Sequence, residues 1–156
     1  MRIALKILTL CVALVIAGCS TDRATKEAIR RAETIAREMP DSALMLIESV
    51  DPQNVRGEDD KAHYRLVEAE VLYYNRILPD REEVAQPLFD HYLTSNDHRE
   101  RARAMYQYAL VMQAEGENAE ALYALLEAEK SLELCKYIDK PRLQGLVHRT
   151  KGEIYG

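Results

Sequence analysis

Cys19 is the residue most plainly prepared for chemistry. It closes the tetrapeptide Ile16-Ala17-Gly18-Cys19, and the segment ahead of it reads as an export signal. Arg2 and Lys6 make a short basic start, and an apolar run from Ile7 to Ala17 follows, broken only by Thr9. That run suits a signal-peptide core and falls well short of the roughly 20 residues a helix needs to span a bilayer. Small residues before the cysteine let an extended backbone enter a peptidase, and a thiol can carry a lipid. The other candidates are weaker. His91 and His98, with Asp90 and Asp97, are the one cluster resembling a set of metal ligands, but a turn at Ser95 to Asp97 separates the histidines. Surface and capping roles suit these residues better, so no metal site is expected. Cys135 lies near the end of an apolar helix and reads as a small core residue. No Gly-rich phosphate loop, His-Glu-x-x-His or paired-cysteine motif occurs, and no His has a triad setting. Neither an enzyme nor a cofactor is expected.

The tetrapeptide resembles the lipobox of bacterial lipoproteins: an apolar residue, two small residues and the acceptor cysteine. The resemblance implies cleavage between Gly18 and Cys19 and lipid attachment at Cys19. An ordinary signal peptide with a chance cysteine is the competing reading. By resemblance to the usual sorting rule, Ser20 after the cysteine favours the outer membrane, with the protein facing the periplasm. Losing residues 1–18 removes Arg2, Lys6 and Cys11, leaving 19 basic against 26 acidic residues, a net −7. That balance argues against nucleic acid and against a polybasic membrane contact. With Cys19 acylated, Cys135 has no partner for an internal disulfide.

The elements that follow are all helical in pattern. Gly is scarce, β-branched runs are absent, and Ala, Leu, Glu and Arg dominate. Residues 19–23 read as a lipidated polar tether and 24–156 as one helical domain. A first helix, about Ala24–Glu38, carries Ala28, Ala32, Ile35, Ala36 and Met39 on its apolar side and is stopped by Pro40. A second, capped by Asp41 or Ser42, turns Ala43, Ile47 and Val50 inward. A third runs from about Asp59 to Ile77, with Ala62, Leu66, Ala69 and Leu72 or Tyr73 inward. The fourth, about Arg81–Thr94, contains Pro87 and must bend or start late. The fifth and sixth, about Arg99–Ala114 and Ala119–Leu134, flank a turn at Gly116. The seventh opens at Pro141.

Helices five and six carry the pattern Met105-x2-Tyr108-Ala109-x2-Met112-x3-Gly116-x4-Ala121-x3-Leu125-x2-Ala128. Ala109 and Ala121 sit where two helices can cross closely only if the side chains are small. Ala32, Ala69, Ala109 and Gly152 recur at intervals of 37, 40 and 43 residues. The pattern resembles the tetratricopeptide repeat (TPR), whose helical repeats fall in the roughly 34–47-residue range. Pro40-Asp41-Ser42-Ala43-Leu44-Met45-Leu46-Ile47-Glu48-Ser49-Val50-Asp51, and Asp139 through Tyr155, are similar to segments of Bacteroidetes-type tetratricopeptide proteins. Lys151, where a Leu is usual, and Pro87 depart from the pattern. The resemblance implies an all-α, antiparallel helix-pair solenoid of about three repeats plus a terminal helix, with Tyr108 and Tyr155 at packing positions. Many members of that group continue into further repeats, a membrane helix and a regulatory segment. A truncated or separated sensor part of such a protein is therefore the alternative reading.

In that resemblance the concave groove is lined by first-helix positions that fall on Arg103, Tyr106, Leu110 and Gln113, and on Leu146, Arg149 and Glu153 in the last helix. Arg103 and Arg149, as planar cations, suit the acidic terminus of a peptide. Asp41-Ser42-Ala43 resembles the O-glycosylation site of exported Bacteroidetes proteins, with Ser42 as acceptor, although helix capping explains the same residues. The expected function is that of a membrane-tethered lipoprotein binding a peptide or protein partner in the cell envelope.

Overall fold

The computed structural model describes residues 23–136 and 138–156, so the expectations for Gly18 and Cys19 lie outside the described residues. The described chain is helical, with no strand: α1 (23–35), α2 (Pro40–Glu48), α3 (Glu58–Tyr74), α4 (Gln86–Tyr92), α5 (His98–Ala114), α6 (Asn118–Leu134) and α7 (Lys140–Tyr155). A 3-10 turn at Pro52–Asn54 precedes α3, and a single π turn at Arg81–Ala85 precedes α4.

Local chemistry sets most of these boundaries. Pro40 is the first residue of α2, where its missing N–H costs nothing and its fixed φ suits the helix. The helix therefore begins before Asp41 and Ser42, and neither side chain caps it, contrary to the sequence expectation; Met39 precedes it in a non-helical conformation. Asp97 caps α5 as its type suggests, accepting from the backbone N–H groups of Arg99 and Glu100 at 3.1 and 3.0 Å. Gly116, at φ 82, supplies the left-handed residue that folds α6 back onto α5.

Pro87 does not kink a continuous helix. The chain enters through a π turn in which the Ala85 N–H reaches the Asp80 carbonyl at 3.0 Å, and Pro87 then falls in the first turn of α4, where no helical donor is lost. Pro87→Ala should accordingly lower stability by about 0.5–1 kcal/mol, through a freer unfolded chain. Relief of a proline inside an intact helix would instead raise stability by up to about 3 kcal/mol. Urea denaturation of the two proteins distinguishes the signs.

Two apolar cores meet at α3. One joins α3 through Ala62, Leu66 and Ala69 to α4, α5, α6 and α7, and holds Leu88, Met105, Met112, Leu125, Leu132 and Val147, all inaccessible to solvent. The other joins Ile29, Ala32 and Ala36 of α1 and Ala43 and Ile47 of α2 to Tyr64, Val67 and Val71 of α3. The last inward residue of α3 is thus Val71, and not Leu72 or Tyr73. Consecutive helices from α2 onward pack on one another, α5 and α6 most extensively, and α3 also touches α5 and α5 touches α7. Ala109 and Ala121 are both completely buried in the α5–α6 pair. Met39 and Tyr155 were placed inward by their spacing, but they are 55% and 72% exposed. No described helix lies across the last turn of α7 to cover Tyr155.

Candidate functional site

A hollow of about 520 Å3 opens on the face shared by α1, α3, α5 and the start of α7. Each helix supplies it at a fixed place. The last turn of α1 brings Glu33 and the turn after it Arg37, the end of α3 brings Glu70 and Tyr74, and the first turns of α5 bring Arg99 and Arg103. Lys136, Asp139 and Arg142 close the rim from the α6–α7 connection.

Its floor is a network of charges. Arg103 is 6% exposed. Its guanidinium grips Glu70 with two hydrogen bonds, Nε to Oε1 at 2.8 Å and Nη2 to Oε2 at 2.5 Å, and Nη2 also meets Glu33 at 2.8 Å. Two parallel donors on one carboxylate are the arrangement that a planar guanidinium makes best. Glu33 then faces His63 Nε2 at 3.5 Å, while His63 Nδ1 lies 2.9 Å from Glu100. The Tyr92 hydroxyl donates to the other oxygen of Glu100 at 2.7 Å. One polar chain thereby links α1, α3, α4 and α5.

Burial opposes the charge on Arg103, but Glu70 and Glu33 more than offset it and hold its pKa above the usual arginine value. The hydrogen bonds to Glu100 and then Glu33 raise His63 to about 9. The bond to His63, joined by the charge of Arg103, lowers Glu33 to about 2. The bond to His63 likewise lowers Glu100. Burial, and then the bond to Glu100, push the Tyr92 hydroxyl up.

A stability signature follows from His63. Its folded pKa lies above the unfolded 6.5, so its contribution is complete below about pH 6.5 and is lost as pH rises through about 9. The contribution of Glu33 has the opposite sign: it is present above about 4.5 and lost as pH falls through about 2. Between pH 6 and pH 9.5 the melting temperature of the native chain should therefore fall further than that of His63→Gln. Parallel thermal melts at the two pH values check this, and equal slopes would show that His63 binds its proton no more tightly in the folded chain than in the unfolded one.

The expected groove residues do not form one surface. Arg103 lies in the hollow, but its guanidinium is already satisfied by two internal carboxylates and is not available to receive a ligand's carboxylate as expected. Tyr106 is 4% exposed and stands edge-on to Tyr73, with ring centres 6.2 Å apart. Leu110 packs partly into the larger core, and Gln113 is half-buried. Leu146 also packs partly into that core, while Arg149 and Glu153 are exposed. Ser42 is half-buried in the first turn of α2. His91 lies 3.6 Å from Asp59, and no group of three His, Cys, Asp or Glu side chains suited to a metal occurs among the described residues.

Glu33 and Glu70 of the floor, and His63 and Glu100 that extend the network behind it, have no counterpart among the residues expected from sequence. A signal for two of them was present: Glu33 follows Ala32 and Glu70 follows Ala69, as Leu110 follows Ala109. The rim carries cations and anions together. Arg37 and Arg142 approach Asp139 at 3.8 and 3.7 Å, and the Arg142 guanidinium stands 5.9 Å from the Tyr74 ring centre. The hollow is lined mainly by polar and charged side chains, and the charges of its floor are balanced from within by Arg103, Glu33 and Glu70. Neither a family model, nor a curated protein, nor a solved structure matches the chain.

Proposed function

We propose that the chain is an exported, lipid-anchored interaction module, a short solenoid of TPR-like helix pairs that holds a polar segment of an envelope protein against the α1–α3–α5–α7 face. The observation that carries this reading is the hollow itself, because alternate helices of the chain, and not neighbours in sequence, build its walls. An array of stacked helix pairs produces such a face, with the first helix of each pair on one side. The α3–α5 and α5–α7 contacts and the alanine crossing of α5 on α6 support the repeat reading. The anchor rests on the sequence from Arg2 to Cys19. No step of chemistry is required: the module positions a partner near a membrane.

The rim chemistry favours a segment with carboxylates. Arg37, Arg99, Lys136 and Arg142 outnumber Glu38 and Asp139 around the opening, in a chain whose overall balance is acidic. Arginine and lysine on such a rim add orientation and encounter rate more than affinity. Photocrosslinking in cells provides the test, with a benzophenone amino acid placed at Thr34 on the hollow or at Glu48 on α2. One dominant adduct from Thr34, absent from Glu48, is expected. The same adducts from both positions, or none from either, would sink the reading. Labelling with a radioactive fatty acid, compared between the native chain and Cys19→Ser, tests the anchor separately.

A further inference from the structure

We propose that the solvent face of α1 is a second membrane contact, a basic patch that lies on anionic phosphate headgroups beside the lipid on Cys19. This inference rests on the lipid-anchor reading above. Helical spacing divides α1 cleanly. Ile29 and Ala32 face the core, while Arg23, Lys26, Arg30 and Arg31 are exposed, Lys26 and Arg30 on the flank towards α3. Against these four cations the helix exposes Glu27. Across a small hollow from Lys26 and Arg30 stands Arg56, which is exposed in the loop before α3. Glu27 is bound by Arg30 at 2.7 Å, Asp60 by Lys26 at 2.9 Å and Glu58 by Lys61 at 2.9 Å, so these pairs balance one another and Arg23, Arg31 and Arg56 carry the positive excess. A chain that is acidic overall has thus gathered cations on the outer face of its first helix.

The position of that helix supplies the second argument. Three residues lie between Cys19 and Arg23, and even fully extended the four steps reach about 14 Å. Seven further residues of helix, to Arg30, add about 10 Å along the axis. A lipid on Cys19 therefore holds Arg23 close to the headgroups, at a distance comparable to the roughly 8–10 Å over which physiological salt screens a charge. Laying α1 along the surface brings Lys26 and Arg30 into the same layer. Each cation near an anionic surface contributes about 1 kcal/mol by the general rule for such surfaces, so several of them make a useful second signal beside an acyl chain. The contact would also fix which way the hollow faces, since α1 forms part of its wall.

The full chain, as processed in cells, is reconstituted in vesicles of phosphatidylcholine alone or mixed with equal parts of phosphatidylglycerol. Two quantities are read: flotation with the vesicles, and the rate at which an amine-reactive acyl reagent modifies Lys26 relative to Lys130, which lies on α6. The expected result is flotation on both vesicles, with Lys26 modification slowed about fivefold only on the anionic ones. The protection should disappear in about 0.5 M salt. It should also disappear in the Arg23→Gln/Arg30→Gln/Arg56→Gln variant, which keeps Lys26 and whose folding is checked by its helical circular dichroism. Equal Lys26 rates on both vesicles would overturn the proposal. Failure to float on phosphatidylcholine alone would overturn the anchor reading, and Lys26 protection on the anionic vesicles would still decide the patch.

Discussion

Arg103→Met should unfold the chain at a temperature about 10 °C lower than the native protein, the largest effect expected of any single polar substitution here. The side chain to be lost is 7% exposed and holds two carboxylates, Glu33 and Glu70, that are themselves only 23% and 17% exposed. Removing a cation from such a pair leaves the anions partly buried with less compensation, which costs about 3–4 kcal/mol where burial is strong. The cost is the stranded charge, not the worth of the bond. A second comparison separates the two: Arg103→Met combined with Glu33→Gln and Glu70→Met should recover most of the loss, because the unpaired charges go with it. Arg103→Lys should fall between, since an ammonium cannot reproduce the two parallel bonds to Glu70. A loss below about 1 kcal/mol in Arg103→Met would place the network with ordinary surface ion pairs.

Leu125→Ala should cost about 3–4 kcal/mol, whereas Leu126→Ala, one residue along the same helix, should change stability by no more than about 0.5 kcal/mol. Leu125 is wholly buried against α5, and Leu126 is 52% exposed. The cavity left by Leu125 cannot close easily. Ala109 and Ala121 hold the two helix backbones together, and Met105 and Met112 fill the remaining volume. Guanidinium denaturation of the two variants against the native chain measures the difference. Similar losses in both would mean that α6 does not present the face described.

The helices and the buried alanine crossing were legible because their signal lies within one segment: period, proline, caps and the spacing of small residues. Spacing alone pairs Ala109 with Ala121, and the type and place of Asp97 mark it as a cap. The floor of the hollow was harder to read because its meaning lies between segments. Glu33, Glu70 and Arg103 are separated by more than thirty residues at each step, and each taken alone is an ordinary charge on a helix. The offset that singled out Leu110 after Ala109 gives Glu33 and Glu70 when applied to α1 and α3, so part of the network was within reach. Tyr155 failed for the opposite reason. Its spacing marks a residue that a following helix would cover, and spacing cannot say whether that helix lies there. Asp41 and Ser42 failed as caps because Pro40 starts the helix ahead of them.

The two faces of α3 look into different cores, with Leu66 on one side and Val67 on the other. The chain therefore has a natural seam. Opening α1 and α2 exposes the smaller core and leaves the larger one intact, so the N-terminal block can detach in a sub-global step whose free energy lies below that of complete unfolding. Burial of the smaller core opposes that step, and so do polar contacts across the seam: Glu33 bound to Arg103 and His63, and Arg37 beside Asp139. Salt and alkaline pH should then loosen the two blocks before either one melts. Amide exchange in α1 and α2 would quicken while α5 and α6 stay protected. Cooperativity in this molecule is in that sense an adjustable quantity, tuned by a few charges on top of the apolar core that joins the two blocks.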